Sequence, residues 1–382
     1  MPTVLERPST IVDKSQEPLR QADAPEFRPS PPSPPERLIS LDAFRGFIMI
    51  TLAASGFGLR TFEGDPAWGW LARQFDHVEW EGIVFWDLIQ PAFMFMVGLA
   101  MPFSVANRLK KGASGGEVAR HVLWRFFMLI LLSQVFISIG RGEPNFQLIN
   151  VLSQIAFAYL ICYGIMKLPI RGQVIAAAAL LAGHWILFAF FPGSEGTFSK
   201  ADNIGAVIDK FFGLEYSGYY VTINFVSSAV TMLFGVWAGY LMLQPVSHER
   251  RMKLLGGAIV GCFVLGYALQ PFNPMVKRIW TASFTFASGA WVLMILLGFY
   301  WLVEVRGMKK LVFPLVVVGM NSIFIYGLHM ILHRWIDRSV GVFTGSYAFL
   351  GDWGAVAQAC SVFLVMWYLC YWLYQRKIFL RV

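Results

Sequence analysis

The chain has 382 residues, of which 57% are hydrophobic and only 14% charged, with 31 Lys and Arg against 23 Asp and Glu. Soluble proteins run at about 25% charged and about 45–50% apolar, so this composition excludes a cytosolic enzyme, a disordered regulator and a secreted disulfide scaffold. The apolar residues fall in runs of about 20, the length that crosses a ~30 Å hydrocarbon layer. The net charge of +8 reads as membrane orientation and not nucleic-acid binding, because no contiguous basic block is present.

Residues 1–36 hold nine of the 19 prolines and few large apolar residues, the composition of a disordered tail. From residue 37 to 382 the sequence predicts one all-α, polytopic membrane domain. Ten spans are expected, at about 38–59, 83–104, 121–140, 147–166, 173–192, 219–243, 254–271, 281–303, 311–334 and 353–375. Each run is continuous and not alternating, which favours helices over a barrel. With the N-terminus placed in the cytoplasm, twenty of the 31 Lys and Arg fall on inside segments and nine on outside loops. Both termini are therefore expected to be cytoplasmic, with long loops 60–82, 193–218 and 335–352 facing outward. Cys162, Cys262, Cys360 and Cys370 all lie in apolar runs and read as small buried hydrophobes.

Charge inside a span is expensive, so each such residue marks a candidate site. Asp42 and Arg45, three apart in the first span, share a helical face; Arg45 could pair with Asp42 or meet a phosphate. Asp87 lies one turn inside the second span. Arg125, early in the third, reads as a snorkelling interfacial residue. Among the six histidines, His77 stands out, in Phe75-Asp76-His77-Val78-Glu79-Trp80-Glu81-Gly82 just before the second span. An imidazole titrates near neutrality and suits a base or an acyl carrier. Asp76, Glu79 and Glu81 are its expected orienting partners. In the ninth span Ser322, Tyr326, His329 and His333 recur at four, three and four, on one face, beside Asn321. Loop tryptophans 68, 70, 80 and 280 could stack on sugars or form an aromatic belt. No metal is expected, since HExxH is absent, and neither Walker A nor GxSxG occurs. Residue chemistry alone leaves a membrane-embedded transferase or a transporter using buried charge.

The segment Arg37-Leu-Ile-Ser-Leu-Asp42-Ala-Phe-Arg45-Gly46 resembles the opening S-[LV]-D-x-x-R-G of the heparan-α-glucosaminide N-acetyltransferase family. His77-x-x-Trp80-x-Gly82 followed by Asp87, Pro91, Phe93 and Gly98 is similar to its next segment. Later pieces agree: Lys277-Arg-Ile-Trp280-Thr281-Ala-Ser283, and Gly319-Met-Asn321-Ser322-Ile with Tyr326 and His329. The resemblance covers about residues 37–335. It implies an enzyme moving acetyl from cytoplasmic acetyl-CoA to the amine of a glucosamine-type sugar on the far side of the membrane. It implies His77 as the active-site residue, where the lysosomal enzyme has its histidine before W-x-G. Asn321 and Ser322 are expected to polarise the thioester. Asp42, Arg45, Trp80, Asp87, Trp280, Ser283 and His329 are expected to bind substrate or donor. The expected partners are acetyl-CoA, an amino-sugar or glycan acceptor and the lipid bilayer, with a homodimer left open. With no apolar run before residue 38, the expected location is a bacterial inner membrane. The competing expectation is a transporter of a sugar or sugar acid.

Overall fold

The computed structural model describes residues 38–214 and 219–380; the Pro-rich segment 1–36 lies outside them. Among the described residues the chain is helical, with one isolated bridge between Gly193 and Gly196. The helices are α1 (Ile39–Ala53), α2 (Gly69–Ala72), α3 (Ile89–Lys110), α4 (Gly115–Arg141), α5 (Val151–Ile165), α6 (Ile170–Phe190), α7 (Ile204–Phe211), α8 (Asn224–Leu243), α9 (His248–Leu269), α10 (Ala282–Tyr300), α11 (Phe313–Met320), α12 (Ser322–Thr344) and α13 (Trp353–Gln375). Seven helical segments are long and apolar enough to cross a membrane, and up to nine if each of two bent pairs counts as one. The chain is thus a polytopic membrane protein, and the ten expected runs are not ten straight crossings.

Three runs depart from the expectation. The first is broken after α1, where Gly56, Phe57 and Gly58 all take left-handed φ, and the chain bends by 51° into a 3₁₀ segment, Ser55–Phe62. The ninth bends by 77° at Asn321, between α11 and α12. The fourth yields only the 15 residues of α5, about 22 Å at 1.5 Å per residue, shorter than the hydrocarbon layer. The stretch before it, 144–149, is irregular, and non-helical backbone is tolerated at such depth where it lines a cavity. The expected loop 335–352 is also corrected: α12 runs on to Thr344.

Helices that share an apolar solvent cannot be driven together by hydrophobicity, so close approach over small residues does the work. A Cβ on Gly98 of α3 would lie 1.9 Å from the Met232 carbonyl oxygen of α8, and one on Gly235 would lie 2.0 Å from that of Phe95. The α1–α11 crossing repeats the device at Gly46 and Gly319. These crossings fix α3, which carries Asp87 just before its first turn, and α1, which carries Asp42. The Asn321 amide donates to the Ile378 carbonyl (3.1 Å) and accepts from Leu380 N–H (3.1 Å). Gly319 packs on the Asp42 carbonyl, so Leu38 and Leu380 lie at one end of the bundle.

Candidate active site at the loop end of the bundle

At the opposite end, three loops converge on His77. The Gly82 N–H donates to the Met275 carbonyl (2.8 Å), the Trp80 indole N–H to the Phe198 carbonyl (3.0 Å), and the Phe85 N–H to Gln74 (3.3 Å). Lys200 donates to Glu79 at 3.0 Å, which holds the Glu79 carboxyl below its ordinary range. The 273–281 loop is pinned by Thr281, whose hydroxyl donates to the Pro274 carbonyl (2.6 Å) and accepts from Val276 N–H (3.0 Å). Trp280 there takes a left-handed φ of 56°, strain that the surrounding packing must hold.

His77 Nδ1 lies 2.6 Å from Asp87 Oδ1, and Lys277 Nζ lies 3.3 Å from both atoms. The Asp87 side chain is 1% exposed, that of Lys277 6%, and that of His77 40%. A carboxylate buried against Nδ1 selects the tautomer with the proton on Nδ1 and the lone pair on Nε2. Asp87 is therefore the orienting partner, not the expected Asp76, Glu79 or Glu81. Asp76 accepts the His77 backbone N–H (2.8 Å) and pairs with Arg60 (3.0 Å). Lys277 is the site residue that residue-type reasoning missed. Its signal was the charged pair Lys277-Arg278 between the apolar residues Met275-Val276 and Ile279-Trp280, where a buried cation is costly without a partner.

Two cavities adjoin this group. A chamber of about 480 Å³ lies among the helices, lined by His77, Trp86, Gln90, Asn150, Gln154, Lys277 and His329, among others. A vestibule of about 910 Å³ lies among residues 60–84, lined by Trp70, Trp80 and the carboxylates of Glu63, Asp65, Asp76, Glu79 and Glu81, with Arg60 and Arg73. Among the described residues, His77 is common to both linings. Helix α5 contributes through its first turn: the Asn150 side chain accepts from Ser153 N–H (3.0 Å), and Ser153 meets Ser133 of α4 at 2.8 Å.

The remaining sequence-derived candidates divide. His329 reaches the chamber, its ring 4.7 Å from that of His333, which in turn meets the Ser55 hydroxyl at 3.0 Å. Trp80 reaches the vestibule. Asp42 and Arg45 pair at 3.6 Å at the far end of the bundle. Asn321 and Ser322 line neither cavity, and the Asn321 amide is engaged with the C-terminal segment. Trp280 is fully buried, its indole donating to Thr231 (3.1 Å), and Ser283 is buried against Thr281 and Asn273; both sit in the core and line neither cavity. Among the described residues, no group of three or more His, Cys, Asp or Glu is arranged to hold a metal.

The same chain aligns with two curated proteins. It is 24% identical over 378 residues to the heparan-α-glucosaminide N-acetyltransferase of Homo sapiens, and 22% identical over 395 to that of Mus musculus. The chain is similar in sequence to the heparan-α-glucosaminide N-acetyltransferases. The alignments cover 79% and 84% of this chain but 54% and 57% of those proteins, so it spans little more than half their length. No family model matches the chain.

Proposed function

We propose that the protein is a transmembrane acetyltransferase that moves acetyl from cytoplasmic acetyl-CoA to the amine of a glucosamine-type sugar on the opposite side of a bacterial inner membrane. The observation that carries this reading is the position of His77, shared by the chamber and the vestibule and oriented by a buried carboxylate. Counting the two bent pairs and α5 as one crossing each gives ten, a count that supports a His77 end opposite both termini. The lysine and arginine bias supports a cytoplasmic terminal end. Arg45, paired with Asp42 at that end, is suited to an anionic donor.

The chemistry follows from the dyad. A neutral amine attacks the thioester carbonyl, the C–N bond forms, the C–S bond breaks, and the thiolate of CoA leaves. The proton lost by the nitrogen passes to His77 Nε2, and Asp87 stabilises the imidazolium through Nδ1–H. His77 then returns the proton to the thiolate. In the stepwise form Nε2 itself takes the acetyl group before the amine does. The Lys277 ammonium lies where negative charge on the thioester oxygen would be stabilised. The acidic vestibule favours arrival of a protonated amino sugar, which gives its ammonium proton to water there before the neutral amine attacks, and Trp70 and Trp80 offer faces for its ring.

The test uses the purified protein in detergent with acetyl-labelled acetyl-CoA and glucosamine, and follows label into the sugar. His77→Ala, folded and monodisperse, is expected to lose transfer. Acetyl-histidine trapped by mass spectrometry selects the stepwise form. Absence of CoA release with any amino sugar, together with sugar uptake in liposomes, overturns the proposal.

A further inference from the structure

Three residues that line the chamber, Gln147, Gln154 and His329, carry a polar side-chain atom that no described protein atom satisfies, and the first two are more than nine-tenths buried. Gln154 is 4% exposed; its Oε1 accepts from Gln90 Nε2, and its own Nε2 has no partner. Gln147 is 6% exposed; its backbone N–H and C=O are both taken by the Gln134 side chain, each at 2.9 Å, and its Oε1 has no partner. Both residues line the chamber. Buried polar groups are as a rule paired, and an orphaned pair in one cavity calls for a ligand.

The surroundings keep both amides in place. Gln90 belongs to α3, directly after the segment that carries Asp87, and holds Gln154 one turn into α5. Gln134 of α4 holds the irregular stretch from which Gln147 projects. Among the described residues no carboxylate lines the chamber, whereas Lys277 and Arg141 do, so an ammonium group is disfavoured and a neutral polar group is not.

We propose that Gln147 and Gln154 form a binding subsite for a neutral group that presents one hydrogen-bond acceptor and one donor, the pattern shared by a secondary amide and by neighbouring sugar hydroxyls. The assignment rests on the acetyltransferase reading for its two sources: the amide-bearing arm of the thioester donor, and the neutral acceptor sugar. Held there, either substrate has its reactive end in the cavity that His77 lines.

The experiment uses full-length protein and two variants, Gln147→Met and the double variant Gln90→Met/Gln154→Met, which leaves no half of the α3–α5 pair unpaired. Apparent KM is measured separately for acetyl-CoA and for glucosamine. Thermal stabilisation by S-acetylpantetheine and by N-acetylglucosamine is measured without turnover. Loss of one or two neutral hydrogen bonds raises the KM of the bound substrate by about 3- to 10-fold and removes the matching stabilisation. A change confined to acetyl-CoA and S-acetylpantetheine assigns the donor arm; one confined to the two sugars assigns the acceptor. Folded variants with both KM values and both stabilisations unchanged overturn the subsite. Should wild type show no acetyl transfer, the function fails by itself. The stabilisation series still decides the subsite, which is overturned if neither probe stabilises wild type.

Discussion

Replacing Asp87 with asparagine separates the chemical role of the cluster from its structural one. Two effects are expected. The first is electrostatic: at 3.3 Å and an effective dielectric of about 20, the Lys277–Asp87 attraction is about 5 kcal/mol. Removing one partner of a buried pair leaves the other charged and desolvated, at a cost of about 3–5 kcal/mol. The second concerns the tautomer. The introduced side-chain amide can donate to Nδ1, which would leave the proton on Nε2, the wrong nitrogen for a base or nucleophile. In other His–Asp enzymes that substitution lowers kcat about 10,000-fold. The double variant Asp87→Asn/Lys277→Met removes the stranded ammonium. It is expected to recover most of the lost thermal stability and none of the acetyl transfer. Thermal unfolding in detergent and label transfer from acetyl-CoA measure the two quantities on the same samples. Acetyl transfer in Asp87→Asn within about threefold of wild type, or restored in the double variant, would refute the assigned role of the carboxylate.

Two further substitutions test the fold around the site. Gly98→Ala puts a methyl 1.9 Å from a backbone oxygen of α8, which no rotamer relieves. A loss of about 3 kcal/mol or more is expected, read as failure to purify as a monodisperse species, whereas Gly261→Ala, with open space around it, should be neutral or gain up to about 1 kcal/mol. Asp209 of α7 is fully buried, and burial pushes its carboxyl above the usual range. The folded protein thus holds that proton more tightly than the unfolded chain, so the contribution to stability is present below the ordinary carboxylate pKa and is lost as pH rises through the raised value. Asp209→Asn is therefore expected to raise the melting temperature at pH 7.5 more than at pH 4; an equal shift at both pH values would contradict this.

The apolar runs made the seven long apolar helices among the described residues legible, because continuous hydrophobicity over 20 residues has few other readings. They did not reveal where a run breaks. At Ser55-Gly56-Phe57-Gly58 the side chains remain apolar or small while the backbone turns, and at Asn321 one polar residue interrupts an otherwise apolar run; hydropathy does not register φ. His77 was legible as a titratable group beside a span. Its partner was not, because sequence distance favoured Asp76 over Asp87, ten residues on, and gave no hint of Lys277, two hundred residues away. Trp280 is expected to face a ligand from its place in a loop, and Ser283 from the family resemblance alone. Their burial depends on how the 273–281 loop folds back over α8 and α10, a tertiary fact. Asn321 drew notice as a polar residue in a span, and its amide serves to clasp the C-terminal segment.

A single imidazole forms the seam between chamber and vestibule, and this has an electrical consequence. Under the proposed transfer, a group handed across one side chain needs no continuous file of water, and the bilayer is expected to stay sealed. Vesicles carrying the protein would then keep their ion gradients through repeated turnovers.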